Sequence, residues 1–351
     1  MSLRPVFNPP NPYEGPSSEW LEAPPPAELK IFEEEAKSIV STNASPDIGF
    51  KHSLNPYRGC THACAYCYAR PTHQYLGFGA GTDFESKIVV KTNAPALLRR
   101  EFMRKSWLGE TVVFSGNTDC YQPLEANYKL TRDCLRVCLE FRNPVSIITK
   151  NPLIVRDLEV LAALSREAHL HVNISLAFID EDMQRKMEPG APPPRRRLEA
   201  MAALAKAGIS VGIGVAPIIP GLNDSQIPEL LKQARSHGAR FAFHTLLRLP
   251  AEVEDVFLHS LQERFPTHYD KVVNQLKLSR GGKLNNAEFG KRMSGQGPTW
   301  NAAKDLYDIW CKKLGLNYLS EEAGHLDDFK NARRTFRRPK DQLSLFDQSS
   351  A

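Results

Sequence analysis

The chain contains no long hydrophobic run. Although 42% of its 351 residues are apolar, nowhere do about 18 of them stand in succession, the length that a membrane-spanning helix requires. The first ten residues contain three prolines and lack the apolar stretch of a secretion signal. These absences exclude a membrane-spanning helix, and we expect a soluble protein of the cytosol that makes no contact with membranes.

The cysteines do not have the pattern of a disulfide framework. There are seven, an odd number, whereas disulfide-rich secreted domains usually carry an even number at regular spacings. Three of the cysteines are closely spaced, but no second closely spaced group follows them, as a closed four-ligand zinc site would need. Four cysteines stand apart, namely Cys120, Cys134, Cys138 and Cys311. The pattern fits a reducing compartment.

A large excess of one charge is also missing. The formal net charge is +5, and part of the basic excess lies in two blocks, Arg195–Arg197 and Lys330–Lys340. Such blocks are compatible with a phosphate backbone, although a run of charge is most often a solvated surface. The charge therefore suggests nucleic acid as a partner without requiring it.

Three cysteines are packed into eight residues, at Cys60, Cys64 and Cys67. Gly59 precedes them and allows a tight turn, so the three thiolates can converge on one metal centre. Thiolates suit both zinc and iron-sulfur clusters, so both remain open from the residues alone. A four-iron cluster held by three cysteines would keep one iron free for a small molecule. His62, inside the loop, is either a solvated side chain or a fourth ligand.

Short apolar runs alternate with amphipathic helical stretches from His52 onward, which is typical of strand-helix units and a parallel sheet. Predicted strands are His52–Asn55, Thr111–Ser115, Val145–Thr149, His171–Leu176, Ser210–Val215 and Arg240–His244. Predicted helices between them are Pro95–Lys105, Leu130–Phe141, Pro152–Ser165, Arg195–Ala207 and Ser225–His237. Six such units predict an α/β fold built as a partial (β/α)6 barrel of the TIM type.

The two ends of the chain differ from this barrel. Residues 1–45 are a predicted proline-rich arm with one short helix at Ala27–Lys37, and residues 46–250 are the predicted barrel. Residues 251–328 are a predicted helical extension, with helices at Glu252–Phe265, Tyr269–Leu278 and Thr299–Leu314. Residues 329–351 are expected to be a flexible basic tail.

Candidate site residues follow from the barrel, because the chemistry of such folds gathers at the carboxyl ends of the strands. The cysteine loop follows the first strand. The other candidates are Ser115, Gly116, Asn117 and Thr118 after the second strand, Lys150 after the third, Ser175 at the fourth and His244 at the sixth. Arg197, at the start of a helix, could pair bidentately with a carboxylate.

Other cysteines and glycines are open to two readings. Cys120 lies in the loop after the second strand, where it is either a hydrogen-atom donor or a packed thiol. Cys134 and Cys138 share a helix face, and we expect both to be buried as small hydrophobes rather than to bind metal. Gly212 and Gly214 could let an adenine approach the fifth strand closely.

The loop order, C-x3-C-x-aromatic-C with Tyr66 before the last cysteine, resembles the signature of the radical S-adenosylmethionine (radical SAM) superfamily. The resemblance implies a 4Fe-4S cluster on the three cysteines and S-adenosyl-L-methionine (SAM) on its open iron, where one electron yields a 5'-deoxyadenosyl radical. It further implies that Ser115–Thr118 bind the methionine amine. We assign Lys150, Ser175 and Arg197 to cofactor binding as well.

A narrower resemblance lies in four further stretches, Asn55–Cys60, Tyr68–His73, Thr118–Glu125 and Pro217–Asn223. Together they look like the spore photoproduct lyase-like branch of the superfamily, also described as DNA repair photolyase-like. True spore photoproduct lyases carry a hydrogen-donating cysteine in the loop after the second strand. This chain has Asn117 at that point and Cys120 three residues on, which argues against repair of the spore photoproduct itself.

The leading prediction is a radical SAM enzyme, of lyase or transferase type, that abstracts hydrogen from a substrate in the barrel mouth. We further predict that the substrate is a nucleic acid in a DNA repair reaction, and that a protein such as flavodoxin or ferredoxin donates the electron. One alternative is an RNA-modifying radical SAM enzyme. Another is a non-catalytic iron-sulfur or zinc protein tethered to the DNA sliding clamp. The tether would be the tail, where Gln342, Leu343, Leu345 and Phe346 resemble the peptide that docks on that clamp.

Overall fold

The computed structural model describes residues 5–13, 25–317 and 335–339. The strands in this part of the chain belong to two sheets. They are β1 (Lys30–Glu34), β2 (Val40–Thr42), β3 (His52–Leu54), β4 (Tyr57–Arg58), β5 (Lys87–Lys91), β6 (Val112–Phe114), β7 (Val145–Thr149), β8 (Leu170–Ser175), β9 (Ser210–Ile218) and β10 (Phe241–Leu246).

The larger sheet is a partial barrel with the strand order β10-β9-β8-β7-β6-β3-β2. Strands β3, β6, β7, β8, β9 and β10 run parallel, and the short β2 is antiparallel to β3 at one edge. β7 and β8 are almost entirely buried, because helices cover one face and the barrel interior lies on the other. The six predicted strands and the partial (β/α)6 barrel are therefore confirmed.

Helices connect the strands and follow them. They are α1 (Asp83–Ser86), α2 (Ala94–Met103), α3 (Glu125–Tyr128), α4 (Leu130–Glu140), α5 (Leu158–Glu167), α6 (Glu181–Met187), α7 (Pro194–Lys206), α8 (Ile227–Ser236), α9 (Val253–Arg264), α10 (Tyr269–Ser279) and α11 (Pro298–Leu314). Pro194 is the first residue of α7, a position that tolerates its missing N–H. Gly208 and Gly238 follow α7 and α8 with φ of 77° and 94°, the left-handed conformation that ends a helix. None of the helices in the described residues is long and apolar enough to cross a membrane.

The smaller sheet has the order β1-β5-β4 and shows that the helix predicted at Ala27–Lys37 is wrong. In its place β1 pairs in parallel with β5, from Lys30 opposite Lys87 to Glu34 opposite Lys91. The charged residues of this stretch favour a helix locally. Pairing with a distant strand decides the outcome, and local sequence does not reveal such a partner.

The C-terminal helices share the core of the barrel. Trp300, Tyr307 and Cys311 on α11 are buried in the same apolar cluster as the barrel strands. The helix packs against α8, beside the edge strand β10. Helices are thus present at all three predicted places, and the predicted closure of the open side of the barrel stays a prediction.

A segment near the C-terminus, Thr335–Pro339, packs on the outside of the barrel, and we call it the C-terminal clip. Phe336 lies against the rings of Phe102 and Phe141. The Arg338 guanidinium donates hydrogen bonds to the carbonyls of Phe102 at 3.1 Å, Arg104 at 2.6 Å and Trp107 at 2.9 Å, around the end of α2. The clamp-like peptide Gln342–Phe346 lies outside the described residues.

Candidate active site

A cavity of about 670 Å³ opens at the carboxyl ends of the barrel strands. Its wall includes all three cysteines of the loop together with most of the predicted site residues. These are Cys60, Cys64, Cys67, Ser115, Gly116, Asn117, Thr118, Lys150 and Ser175. The structure therefore brings nine residues from four separate parts of the chain to one space. Cys120 and Arg197 are not part of this wall.

The cysteine loop is fixed by close backbone packing. Gly59 has φ of +78°, and a Cβ at this residue would lie 2.8 Å from the Phe84 carbonyl oxygen. The Cys60 amide donates to that same oxygen at 2.9 Å. Buried Arg70 donates to the Cys64 carbonyl at 2.9 and 3.1 Å. The loop is therefore held in one shape by contacts within the protein, before any ligand binds.

Cys60 and Cys64 are buried, Cys67 is half-buried, and none of the three forms a disulfide. Burial and the nearby Asp119 raise the pKa of Cys60 to about 12. Burial also raises the pKa of Cys64 well above its ordinary value, while Lys150 acts in the opposite direction. Neutral thiols avoid the cost of buried negative charge, and a bound metal would offset that cost by taking up the thiolates.

The donor set fits an iron-sulfur cluster better than a single metal ion. Among the described residues, no three His, Cys, Asp or Glu side chains are grouped to hold one metal ion. A 4Fe-4S cluster takes one thiolate on each iron, so three cysteines on one cavity wall match three of its irons. The residues present are thus compatible with the cluster that the sequence predicts.

His62 does not offer a free ligand atom. Its Nδ1 lies 3.4 Å from Asp119 Oδ2, and its Nε2 lies 3.3 Å from Asn151 Nδ2. The imidazole is buried, and burial lowers its pKa. Asp119 also accepts hydrogen bonds from Thr149 Oγ1 at 2.6 Å and from the Lys150 amide at 2.7 Å. His62 is therefore a packed histidine that joins the cysteine loop to the end of β7.

Lys150 reaches across the cavity wall to Ser175, with Nζ 3.1 Å from the serine Oγ. Burial would lower the pKa of Lys150, but the neighbouring Cys64 and Glu188 outweigh burial and raise it. The ammonium group is thus kept charged next to the cysteine loop. A charged amine at this place suits a carboxylate of a ligand bound beside Cys64.

Arg197 is fully buried and is bound by protein groups. Its guanidinium pairs with Glu188 and donates to the Ser175 carbonyl at 3.1 Å and to the Pro192 carbonyl at 2.7 Å. Glu188 also accepts a hydrogen bond from the Tyr66 hydroxyl. The structure brings Arg197 to the back of the site, where it fixes Ser175. Its predicted pairing with a cofactor carboxylate stays a prediction.

The loop after β6 is shaped by Asn55, whose Oδ1 accepts the Asn117 amide at 3.0 Å and the Thr118 amide at 3.3 Å. Ser115 has φ of 77°, and its Oγ accepts the Cys120 amide at 2.8 Å. The backbone of the loop therefore faces the cavity in a defined conformation. Asn55 is a positioning residue that the sequence did not single out.

The remaining candidates lie away from the cavity. Cys120 is completely buried, and burial raises its pKa well above the ordinary value; its role as a hydrogen-atom donor stays a prediction. Cys134 and Cys138 lie on α4 and are buried in the apolar core of the protein, as predicted. His244 packs against the rings of Trp300 and Tyr307, away from the cavity.

The glycines of β9 have a packing role. A Cβ on Gly212 would lie 2.7 Å from Asn173 Oδ1, and one on Gly214 would lie 2.7 Å from the Phe243 ring. Both glycines therefore make room for neighbouring strands. Packing against these neighbours is sufficient to explain both glycines, without the predicted approach of an adenine.

Several wall residues were not predicted. They are contributed by the segment before β3, by the residue after Cys67, by β10 and the stretch that follows it, and by the loop before α11. They include Asp47, Phe50, Tyr68, Phe243, Thr245, Arg248 and Met293. Strand alternation could have found Phe243 and Thr245, since both neighbour His244 and point to the opposite face. The others come from segments outside the barrel strands, where no spacing rule applies.

Asp47 lines the cavity and pairs with Arg292, and we call these two residues the mouth pair. Arg292 Nε lies 2.6 Å from Asp47 Oδ2, and the other carboxylate oxygen accepts the Gly290 amide at 2.6 Å. Both side chains are mostly buried. The contact joins the segment before β3 to the segment after α10, whose Met293 also lines the cavity.

Comparison with known proteins gives both a family and a fold. The Radical SAM superfamily profile matches residues 54–234. An uncharacterized protein of Mycobacterium bovis is 43% identical over 192 residues, which cover 54% of this chain and 56% of that protein. The match thus spans little more than half the length of this curated relative.

Two further matches carry descriptive names. A protein of Pseudomonas phage M6, named "Radical SAM Nalpha-GlyT isomerase", is 24% identical over 268 residues, covering 75% of this chain and 52% of the phage protein. A solved structure of spore photoproduct lyase complexed with dinucleoside spore photoproduct aligns with a TM-score of 0.56 and 15% identity. It covers 82% of this chain and 80% of that one. At this identity the likeness establishes a common fold.

Proposed function

The chain belongs to the Radical SAM superfamily of enzymes, and from this premise we propose that Cys60, Cys64 and Cys67 hold a 4Fe-4S cluster and that SAM binds beside it. When bound and reduced, such a cluster would supply one electron for the reductive cleavage of SAM. The single observation that carries the proposal is the shared cavity wall, on which the three thiols meet the loop after β6, Lys150 and Ser175.

The protein contributes orientation and exclusion of water. Lys150, charged and hydrogen-bonded to Ser175, would bind the SAM carboxylate. The backbone of Ser115–Thr118, shaped by Asn55, would bind the amine. The mouth pair, which holds the segment before β3 beside the cavity, would help to keep solvent out of the site.

We propose nucleic acid as the substrate class. The support is the fold shared with spore photoproduct lyase, whose solved complex contains a dinucleoside, together with the basic excess of the chain. The reaction on the substrate, a role in DNA repair, and a flavodoxin or ferredoxin as electron donor are proposals at the same level. Docking of Gln342–Phe346 on the sliding clamp stays a prediction from sequence.

The test is release of 5'-deoxyadenosine. Protein reconstituted anaerobically with iron and sulfide, then reduced with dithionite in the presence of SAM, should release it, and each of Cys60→Ala, Cys64→Ala and Cys67→Ala should abolish the release. Cys134→Ala and Cys138→Ala provide matched controls, because these cysteines are buried away from the cavity. Product analysis should include isomers of the substrate, given the name of the phage relative.

The non-catalytic alternative makes the opposite prediction. A protein that used the cysteines only to hold zinc or a structural cluster would bind metal and release no 5'-deoxyadenosine. Absence of release from protein with a full complement of iron and sulfide would therefore overturn the proposed function.

A further inference from the structure

Arg248 lines the cavity without a carboxylate partner among the described residues. Its Nη1 lies 3.6 Å from the Met293 sulfur, which is a weak acceptor, and its Nε is buried without any hydrogen-bond partner. Arg292 is paired with Asp47, and Arg280 donates through both Nη atoms to backbone carbonyls, although its Nε is also buried without a partner. A partly buried guanidinium with open donors loses hydration without compensation until an anion fills the place.

Arg248 lies at a different strand end from Lys150, the residue proposed to bind the SAM carboxylate. Arg248 follows β10 and Lys150 follows β7, three strands away in the sheet, which is roughly 14 Å along the sheet at the usual strand spacing. The charged ammonium of Lys150 lies near Cys64, at the end of the cavity where the SAM carboxylate is proposed to bind. Burial and the nearby Arg292 lower the pKa of Arg248, so an anion here would relieve repulsion between two cations as well.

Tyr68 supplies an aromatic surface next to this arginine. The tyrosine is 52% exposed and lines the cavity, and its hydroxyl donates to the Gly116 carbonyl at 2.6 Å, which fixes the ring. Tyr68 and Arg248 line the same cavity, so both are available to one ligand bound there.

We infer that Arg248 binds a backbone phosphate of a single nucleic-acid strand, and that the Tyr68 ring offers a stacking surface to an adjoining base. This inference rests on the proposed function, whose substrate class it makes specific. A guanidinium binds phosphate through two parallel hydrogen bonds. Proteins that bind single strands combine such cations with exposed aromatic rings. An acidic peptide would satisfy Arg248 but would leave the fixed aromatic face unused.

The test is equilibrium binding to the cluster-loaded, SAM-bound protein, followed by fluorescence anisotropy. The probes are six-nucleotide single strands of DNA and of RNA, a DNA strand of the same sequence with uncharged methylphosphonate linkages, and a glutamate-rich peptide of equal charge. We expect Arg248→Gln to weaken binding of a phosphodiester strand by about tenfold to a hundredfold, because a charge-assisted hydrogen bond is lost. The slope of log affinity against log salt concentration should become shallower by the amount expected for the loss of about one phosphate contact.

Two variants act as controls. Arg136→Gln changes the same residue type on the exposed face of α4 and should leave every affinity unchanged. Arg248→Lys keeps the charge without the planar fork and should give an intermediate affinity. The methylphosphonate strand should bind wild type weakly and should be insensitive to Arg248→Gln, a comparison that does not depend on the stability of any variant. The DNA and RNA probes reveal which strand is preferred.

Three results would overturn the inference: equal losses with charged and uncharged strands, binding of the peptide as tight as that of the strands, or a loss confined to SAM affinity. The last would assign Arg248 to the cofactor. Release of 5'-deoxyadenosine is measured separately on wild type. Release without strand binding defeats this inference alone, whereas absence of release defeats the proposed function whatever the binding result.

Discussion

At the scale of single residues, the buried pair of Glu188 and Arg197 organises the back of the site. Both side chains are completely inaccessible to solvent. Burial would raise the pKa of Glu188, but Arg197 and Lys150 outweigh it and lower that pKa. The pair also contacts Tyr66 in the cysteine loop and Ser175 at the end of β8. Its removal should therefore disturb stability and the site together.

We predict that Glu188→Gln lowers the free energy of unfolding by about 3–5 kcal/mol at neutral pH, because it leaves the Arg197 charge buried and unpaired. Urea denaturation of purified protein measures this. The control is Glu199→Gln on the exposed face of α7, where the ion pairs with Arg195 and Arg196 are at the surface and should contribute less than about 1 kcal/mol. Equal losses in the two variants would contradict the prediction.

The same pair sets a pH dependence whose sign can be tested. Because the folded pKa of Glu188 is lowered, its contribution to stability is fully present above the ordinary glutamate pKa of about 4.3 and is lost as pH falls through the folded value. The stability difference between wild type and Glu188→Gln should therefore shrink in acid. A difference that is independent of pH would show that the loss has another cause.

At the scale of elements, the C-terminal clip replaces the missing hydrogen-bond donors at the end of α2. The last carbonyls of a helix lack partners within it, and Arg338 donates to three carbonyls in and just beyond that last turn. Gly109 allows the approach, since a Cβ there would lie 2.3 Å from Phe336 Cβ. The clip thus joins a distant part of the chain to a barrel helix.

We predict that Arg338→Met lowers the free energy of unfolding by about 1–3 kcal/mol, the usual range for hydrogen bonds to a charged group. Arg337→Met is the matched control, because the neighbouring side chain is exposed and the substitution is the same. Chemical denaturation of the full chain compares the two. A control variant that loses as much stability would locate the effect in the charge of the segment instead of in these three hydrogen bonds.

The sequence predicted some strands well and missed others, and burial and the pairing partner explain the difference. The parallel strands β7 and β8 are buried runs whose pattern is visible in one stretch of chain. Strand β1 is as long as β7 but is exposed along most of its length, and β4 has only two residues; both exist because β5 pairs with them. No local pattern carries that information, which is why Lys30–Glu34 was predicted as helix.

At the scale of the whole molecule, the residues of the site also fall into a group that the sequence predicted and a group that it did not. The barrel rule located the cysteine loop, Ser115–Thr118, Lys150 and Ser175, because each follows a predicted strand. The rule could not locate Asp47 or Met293, since their places depend on how the flanking segments fold back over the barrel. Arg248, which follows β10, was within reach of the rule. The chemistry of the site was therefore predictable from sequence, whereas its mouth was not.

We predict that Asp47→Asn loosens the mouth. The variant loses the charge-assisted contacts with Arg292 and the Gly290 amide. The backbone amides of residues 43–50 and 281–297 should therefore exchange hydrogen about tenfold faster, because these segments open more often. Hydrogen exchange followed by mass spectrometry measures this. Asp182→Asn, in an exposed ion pair on α6, is the control and should change no exchange rate at the mouth. Faster exchange throughout the barrel would instead indicate general destabilisation.

The mouth pair also links two stretches that are far apart along the chain. Asp47 and Arg292 are 245 positions apart, so a chain that ends before Arg292 cannot form the contact. The segment before β3 therefore acquires this partner only when nearly all of the described chain has been made.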